Sequence, residues 1–286
     1  MAKQYLHLFQ TSQSETNYSH SSQYEEPYLA AVEPIRRAYY NKENDTVIVD
    51  TENNVQYNLK YHWTGEDAPI SNLWHDRVSN KTWNTSHCTY DSTNKWYDMS
   101  ANNTYCYMAN DGTLKLGAQF KIFIHTMYKY KSGMQYGNYI GDLASLRTGS
   151  INTSLGHISS NGTGIHINCK SADNNDTNPA YGPSTSQENF SSWTDFRYLE
   201  YEIGYEKLSS TQARCYSIYN NQICNGTIHT PLNWNAIGTT VGSSAAGYFT
   251  LGMGFITSVG TSPKGTGPSS KAPIKMMEIK IYVSDT

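Results

Sequence analysis

Apolar and polar positions alternate with a period of two in short runs along this chain, and no long stretch carries the 3.6-residue period of an amphipathic helix. Phe120, Ile122, Ile124 and Thr126 alternate with Lys121, Phe123 and His125, which predicts a long strand buried on one face and partly on the other. Leu199, Tyr201, Ile203 and Tyr205 alternate with Tyr198, Glu200 and Glu202, the pattern of a half-exposed strand. Met277, Ile279, Ile281 and Val283 alternate with Glu278, Lys280 and Tyr282 and predict the closing strand. Residues 215–219 and 222–224 flank Asn220-Asn221 and read as a hairpin, because Asn tolerates the positive φ its turn needs. Tyr248–Gly252 reads as another strand, and 259–273 (VGTSPKGTGPSSKAP) as a loop. Many short strands between turn signals predict an all-β sandwich or barrel.

Residues 1–60 have a different texture. Residues 5–9 read as a short strand, and Tyr24-Glu25-Glu26-Pro27-Tyr28 as an extended piece, since Pro27 pushes its predecessor out of the α region. Residues 46–50 and 55–59 predict two strands around the turn at Glu52-Asn53-Asn54. So little apolar material makes this segment marginal alone. The expected organisation is an N-terminal segment over 1–60 and a main domain over 61–286.

Composition sharpens the class. Leu, Ile, Val and Phe number only 48 of 286 residues, but 24 Tyr and 6 Trp can supply buried area with polar tips. A net charge of -3 argues against a nucleic-acid partner, which needs a basic face. No run of 18 apolar residues predicts a membrane span. The opening MAKQYLHLFQTSQSE lacks the apolar core of a secretory signal, so cytoplasmic synthesis is expected. The five cysteines, Cys88, Cys106, Cys169, Cys215 and Cys224, are then expected as free and mostly buried thiols. Ten Asn-x-Ser/Thr triplets, Asn80, Asn84 and Asn225 among them, are expected to serve as turn chemistry.

Two resemblances narrow the fold. Leu73-Trp74-His75-Asp76, then Lys95-Trp96-Tyr97-Asp98-Met99-Ser100-Ala101-Asn102, resembles the opening of concanavalin A-like, laminin-G-type jelly rolls. The strand at 118–128, the hairpin at 216–223 and Met277–Tyr282 follow in that family's order, with Ala101 and Asn221 standing where it has glycines. The resemblance implies a concanavalin A-like jelly-roll β-sandwich over residues 70–286. In the N-terminal segment, Leu6-His7-Leu8-Phe9-x-Thr11, Tyr24–Tyr28 and Tyr40-Asn41-Lys42 resemble a unit of virion proteins from crAss-like gut bacteriophages, with Tyr28-Leu29 replacing its Trp-Val pair. That unit implies attachment to other virion proteins, capsid or tail.

Concanavalin A-like folds include β-glucanases, which set alternate carboxylates on one strand as nucleophile and general acid. The nearest segment, Glu200-Tyr-Glu202-Ile-Gly-Tyr-Glu206, lacks the central Asp and spaces the outer Glu one position too far, so it reads as a solvent face. No nucleophile elbow or phosphate loop occurs, and the sequence points to no catalytic residue and no cofactor. His62 near Trp63 and His75 beside Asp76 read as ordinary histidines, and Asp173–Asn178 as a solvated loop that lacks the Gly and closing Glu of an EF-hand. Trp63, Trp83, Trp96, Trp193 and Trp234 are candidates for stacking on sugars, with Trp96 expected in the core. The expectation is a non-enzymatic virion surface protein of a tailed phage (head fibre, tail fibre or decoration), self-associating as a dimer or trimer and adhering to host glycans. The alternative is a lectin-like module of an adhesin.

Overall fold

The structure is a computed structural model. It describes residues 55–109, 114–131, 190–219, 222–226, 228, 230–231, 248–252 and 273–284, together with the backbone of short strands elsewhere. The first four strands, β1 (Gln4–Tyr5), β2 (Arg37–Asn41), β3 (Thr46–Asp50) and β4 (Val55–Thr64), are successive antiparallel neighbours. Val49 faces Val55, so the hairpin expected around residues 52–54 is present. β4 then runs unbroken across residue 60. The motif strands follow as β5 (Leu73–His75), β6 (Thr82–His87), β7 (Thr89–Asp91), β8 (Trp96–Met99) and β9 (Tyr105–Ala109), and then β10 (Gln119–Tyr128). Two short pairs come next, β11 (His157–Ile158) with β12 (Ile165–His166), and β13 (Asn168–Cys169) with β14 (Ala180–Tyr181). A single 3-10 turn at Phe190–Ser192 leads into β15 (Arg197–Lys207), β16 (Ala213–Tyr219) and β17 (Gln222–Asn225). The chain closes through β18 (Tyr248–Leu251), β19 (Ile256–Ser258), β20 (Lys264–Gly265) and β21 (Ile274–Ser284). β20 lies inside the stretch expected as pure loop, because Lys264-Gly265 pairs with β19.

These strands build two antiparallel sheets packed as a sandwich. The larger runs β1-β2-β3-β4-β21-β10-β15-β16-β17, with β8 also on β21 and β7 on β8; the smaller runs β20-β19-β18-β9-β6-β5. No α-helix occurs among the described residues. The core lies between the sheets: Tyr61, Trp63, Ile122, Ile124, Ile203, Ile279 and Ile281 of the larger meet Trp74, Trp83, Cys106, Met108 and Leu251. Aromatic rings carry it, as composition requires: Trp63 packs edge-on to Trp83 at 5.7 Å, and Trp74 stacks on Tyr97 at 4.3 Å. The Trp74 Nε1 donates to the Thr64 carbonyl at 2.8 Å, which satisfies its one polar atom.

β21 holds the sandwich together, and its phase is not uniform. Ile274 and Met276 are buried, then Ile279, Ile281 and Val283 are buried one register later. The β10 ladder shows why: His125 faces Glu278 and Thr126 faces Met276, so Met277 is the extra residue of a bulge. Met277 was expected on the core face and is only half-buried; Met276 takes its place. At that bulge β21 exchanges partners on one edge, β8 pairing with 274–276 and β4 with 278–283. Gly65 closes the junction by donating its N–H to the Met277 carbonyl at 2.6 Å. A Cβ at Gly65 would lie 1.8 Å from the Lys95 carbonyl oxygen.

β15 departs from its half-exposed expectation. Its second face is buried from Glu202 onward, because Tyr216 of β16 lies across Gly204; a Cβ there would meet the Tyr216 ring at 2.2 Å.

The backbone contact at Gly65 leaves no flexible side chain to yield. Gly65→Ala is expected to lose about 3 kcal/mol, at the upper end of overpacking costs. The exposed neighbour variant Glu66→Ala should change by under about 0.5 kcal/mol. Urea unfolding of both variants checks this.

Candidate functional site

The face of the larger sheet that points away from the core carries its polar chemistry in rows. In the first row Asp98 of β8, Lys275 of β21, Met127 of β10 and Tyr198 of β15 lie side by side. In the second are Thr64, Glu278, His125 and Glu200; in the third His62, Lys280, Phe123, Glu202 and Ile218. In the fourth come Tyr282, Lys121, Gly204 and Tyr216. Solvent reaches the rows unequally. Tyr198 is 49% exposed, whereas Lys121, Glu202, Tyr216 and Tyr282 are each at most 3% exposed.

The second row is a continuous chain of ion pairs. The Glu278 carboxylate accepts from His62 Nε2 at 2.8 Å, from His125 Nδ1 at 3.0 Å and from Lys280 Nζ at 3.0 Å. His125 Nε2 stands 3.4 Å from Glu200 Oε1, and the Tyr198 hydroxyl donates to Glu200 Oε2 at 3.3 Å. Burial alone would lower the His125 pKa, but hydrogen bonds and charge from Glu200 and Glu278 outweigh it and raise the imidazole to about 9. Burial would likewise raise Glu278, yet hydrogen bonds from His125 and His62 and the charge of Lys280 hold it well below the usual carboxylate range. At neutral pH this row is a protonated imidazole between two carboxylates.

The buried end holds one ion pair among rings. Lys121 Nζ lies 3.4 Å from Glu202 Oε1, and the Tyr216 hydroxyl donates to the same oxygen at 2.5 Å. The Lys121 ammonium also sits 5.3 Å from the centre of the Tyr57 ring. Glu202 Oε2 has no hydrogen-bond partner. At the open end, Lys275 Nζ lies 4.5 Å from the Trp96 ring, 4.5 Å from the Phe196 ring and 3.5 Å from Asp98 Oδ2. Trp96, Phe196 and Tyr198 therefore border the charged row with ring surface.

The positions singled out in the sequence divide accordingly. Glu200, Glu202 and Glu206 share a face as their spacing requires, but not a solvent face: Glu202 is fully buried and Glu206 pairs with Arg214 at 2.5 Å. Trp63, Trp83 and Trp193 are buried and offer no ring to a ligand, while Trp96, expected in the core, is half-buried beside Lys275; Tyr97 and Met99 fill the core instead. His62 joins the ion-pair row. His75 is exposed, and Asp76 serves a turn, accepting from the His62, Val78 and Ser79 backbone N–H groups and the Ser79 hydroxyl. Asn84 and Asn225 lie in strands β6 and β17 rather than in turns; the Asn84 side chain accepts from Ser86 N and Oγ at the irregular end of its ladder. Of the cysteines, Cys88 and Cys106 are free, but Cys215 is disulfide-bonded, which overturns the expectation of five free thiols. Asp173–Asn178 and Trp234 lie outside the described residues. Among the described residues, no three His, Cys, Asp or Glu side chains converge as metal ligands. His125, Glu278, Lys280 and Tyr198 were missed, since only the pairing register of three strands, β10, β15 and β21, brings them together.

No family model matches this chain, and no curated protein matches it in sequence. Among solved structures, Trypanosoma rangeli sialidase is similar over 78% of this chain at 9% identity and a TM-score of 0.43, and the chain spans 30% of that protein's length. Alginate lyase Aly36B is similar over 70% of this chain and 84% of its own (10% identity, TM-score 0.39). The exoplasmic/lumenal domain of VIP36, in a metal-free form, is similar over 79% and 93% (9% identity, TM-score 0.36).

The two shifts in the second row oppose each other in pH. A raised His125 contributes stability that is complete below its unfolded value of 6.5 and lost as pH rises through about 9. A depressed Glu278 contributes stability present above its unfolded value of 4.5 and lost as pH falls below it. Stability from this row is therefore expected to be greatest between 4.5 and 6.5. Urea midpoints at pH 5.5, 7.5 and 9.5 should fall across the series for the wild type and flatten for His125→Gln.

Proposed function

We propose that this chain is a non-enzymatic, glycan-recognising surface module of a tailed-phage virion, a fibre or decoration component that self-associates as a dimer or trimer. The observation that carries the glycan part is the open end of the larger sheet. There the rings of Trp96, Phe196 and Tyr198 adjoin a row of fixed charges. A ring face packs on the apolar face of a sugar, and carboxylate oxygens accept from its hydroxyls. The aromatic–cation contact at Lys275 pre-organises two of those rings, which lowers the ordering cost of binding.

The same row argues against glycoside hydrolysis. Such an enzyme keeps one carboxyl protonated near neutral pH to act as general acid. Against the effect of burial, hydrogen bonds from His125 and His62 and the charge of Lys280 hold Glu278 well below the usual carboxylate range, so it is not poised to donate a proton, while Glu200 is engaged by His125 and Tyr198. The virion part rests on the resemblance of the N-terminal string to a unit of phage virion proteins, and symmetric self-association is the usual build of such fibres. Capsid or tail proteins are the partners proposed for residues 1–60.

Titration calorimetry against a panel of host capsular polysaccharides tests recognition. Trp96→Ala and Tyr198→Ala should each weaken binding about tenfold, the loss of roughly 1.4 kcal/mol of ring contact. Ile70→Ala, an exposed control, should leave it unchanged. Silence across the panel rejects glycan recognition, and polysaccharide turnover abolished by Glu200→Gln would replace it with an enzymatic reading. Immunogold labelling of purified DNA-containing particles tests the virion assignment separately. Gold on heads or tails is expected, and antigen confined to bacterial cells overturns it.

A further inference from the structure

We propose that Cys88 and Cys106 are a built cross-linking site, oxidised to a disulfide that ties the end of β6 to β9 in the smaller sheet. Their Sγ atoms lie 3.3 Å apart, across a sequence separation of 18 residues. That is closer than two unbonded sulfurs normally approach, and about 1.3 Å beyond a disulfide bond. The backbone prepares the pair. Asn84 of β6 faces Tyr107 of β9 and His87 faces Tyr105, so Cys106 lies opposite Thr85 and Ser86, and Cys88 follows directly on the end of β6. A register shift between Asn84 and His87 turns the end of β6, and Cys88 N donates to the Thr85 carbonyl at 3.1 Å. Stacking of the His87 ring on Tyr105, with centroids 4.6 Å apart, holds the two strand ends together on the outer side.

The two thiols differ in access, which fixes the order of attack. Cys106 is fully buried in the core cluster, whereas Cys88 is half-buried at its rim. With a small-molecule disulfide as oxidant, the Cys88 thiolate attacks one sulfur, forming a mixed disulfide and releasing one thiolate. Cys106 then loses its proton, and its sulfur attacks Cys88 Sγ, forming the intrachain bond and expelling the second thiolate. The two released thiolates take up the two cysteine protons. Two cysteines are oxidised by two electrons and one small disulfide is reduced to two thiols. The disulfide already present at Cys215 makes oxidation of this chain consistent with its fold. The site is independent of glycan recognition.

Lys95 lies between the two cysteines and Lys81 and Lys115 flank them, so trypsin separates Cys88 on peptide 82–95 from Cys106 on peptide 96–115. The full-length protein is equilibrated in oxidised and in reduced glutathione, unfolded in an alkylating agent, digested and analysed by mass spectrometry. The expected result is peptides 82–95 and 96–115 joined in the oxidised sample and separate, each alkylated, in the reduced one. Recovery of both alkylated after oxidation overturns the proposal, as does Cys88 retained as a glutathione adduct or either cysteine joined to another. Thermal melting provides a second reading. The midpoint should rise on oxidation by several degrees more in the wild type than in Cys88→Ala, which keeps the Cys215 bridge. Equal rises overturn the claim that the bond braces these strands.

Discussion

Three segments of chain meet at Met277, and the rest of the sandwich depends on that junction. Among the described residues β21 alone pairs with β4, β8 and β10, and it can serve all three because one residue is extruded between the two halves of its ladder. The bulge lets the edge change partners from β8 to β4 without a gap. Gly65 makes the exchange possible, as the end of β4 passes close to Lys95 at the start of β8, where a side chain would not fit. These pairings join residues roughly 150 to 225 positions apart, and such non-local closure is slow to form.

The functional face follows from the same feature. Glu278 is the first residue after the extruded Met277, and the phase change there sets Glu278 beside His125 rather than into the core. A regular strand continuing the phase of Ile274 and Met276 would have buried residue 278 against Trp63 and Ile124. Bulges of this kind re-aim side chains next to functional sites in many sheets. Here the re-aimed carboxylate collects two imidazoles and an ammonium, and so organises the whole row.

The strands themselves were legible, because period-two alternation reports local burial directly. The hairpins at 46–59 and 215–224 emerged from turn residues alone. The bulge had a signature too: Met276 and Met277 are adjacent apolar residues at which the alternation of Ile274 and Met276 breaks into that of Ile279 and Ile281. The burial of Glu202 had none. Its neighbours Lys121 and Tyr216 come from other strands, and a glutamate alternating with Leu199 and Tyr201 has the pattern of a solvent face until those partners are placed. The tryptophans misled for a related reason. In a chain poor in Leu and Val, Trp63 and Trp83 are needed as core volume, and among the described tryptophans Trp96 alone keeps ring area outside the core.

The graded burial of the outer face runs in a single direction, from a closed structural end to the open end where recognition is proposed. At the closed end the Lys121–Glu202 pair is desolvated, so its removal by halves would strand a buried charge, and it fixes how β10, β15 and β16 lie together. At the open end the pairs are wet, and a ligand that offers hydroxyls can replace water on Glu200 or Asp98 at small cost. Between them the protonated His125 belongs to both, held by Glu200 of β15 and by Glu278 of β21. A face arranged in this way keeps its charges fixed before a ligand arrives. Fixed charge beside fixed ring surface lowers the ordering cost of the binding proposed for this end.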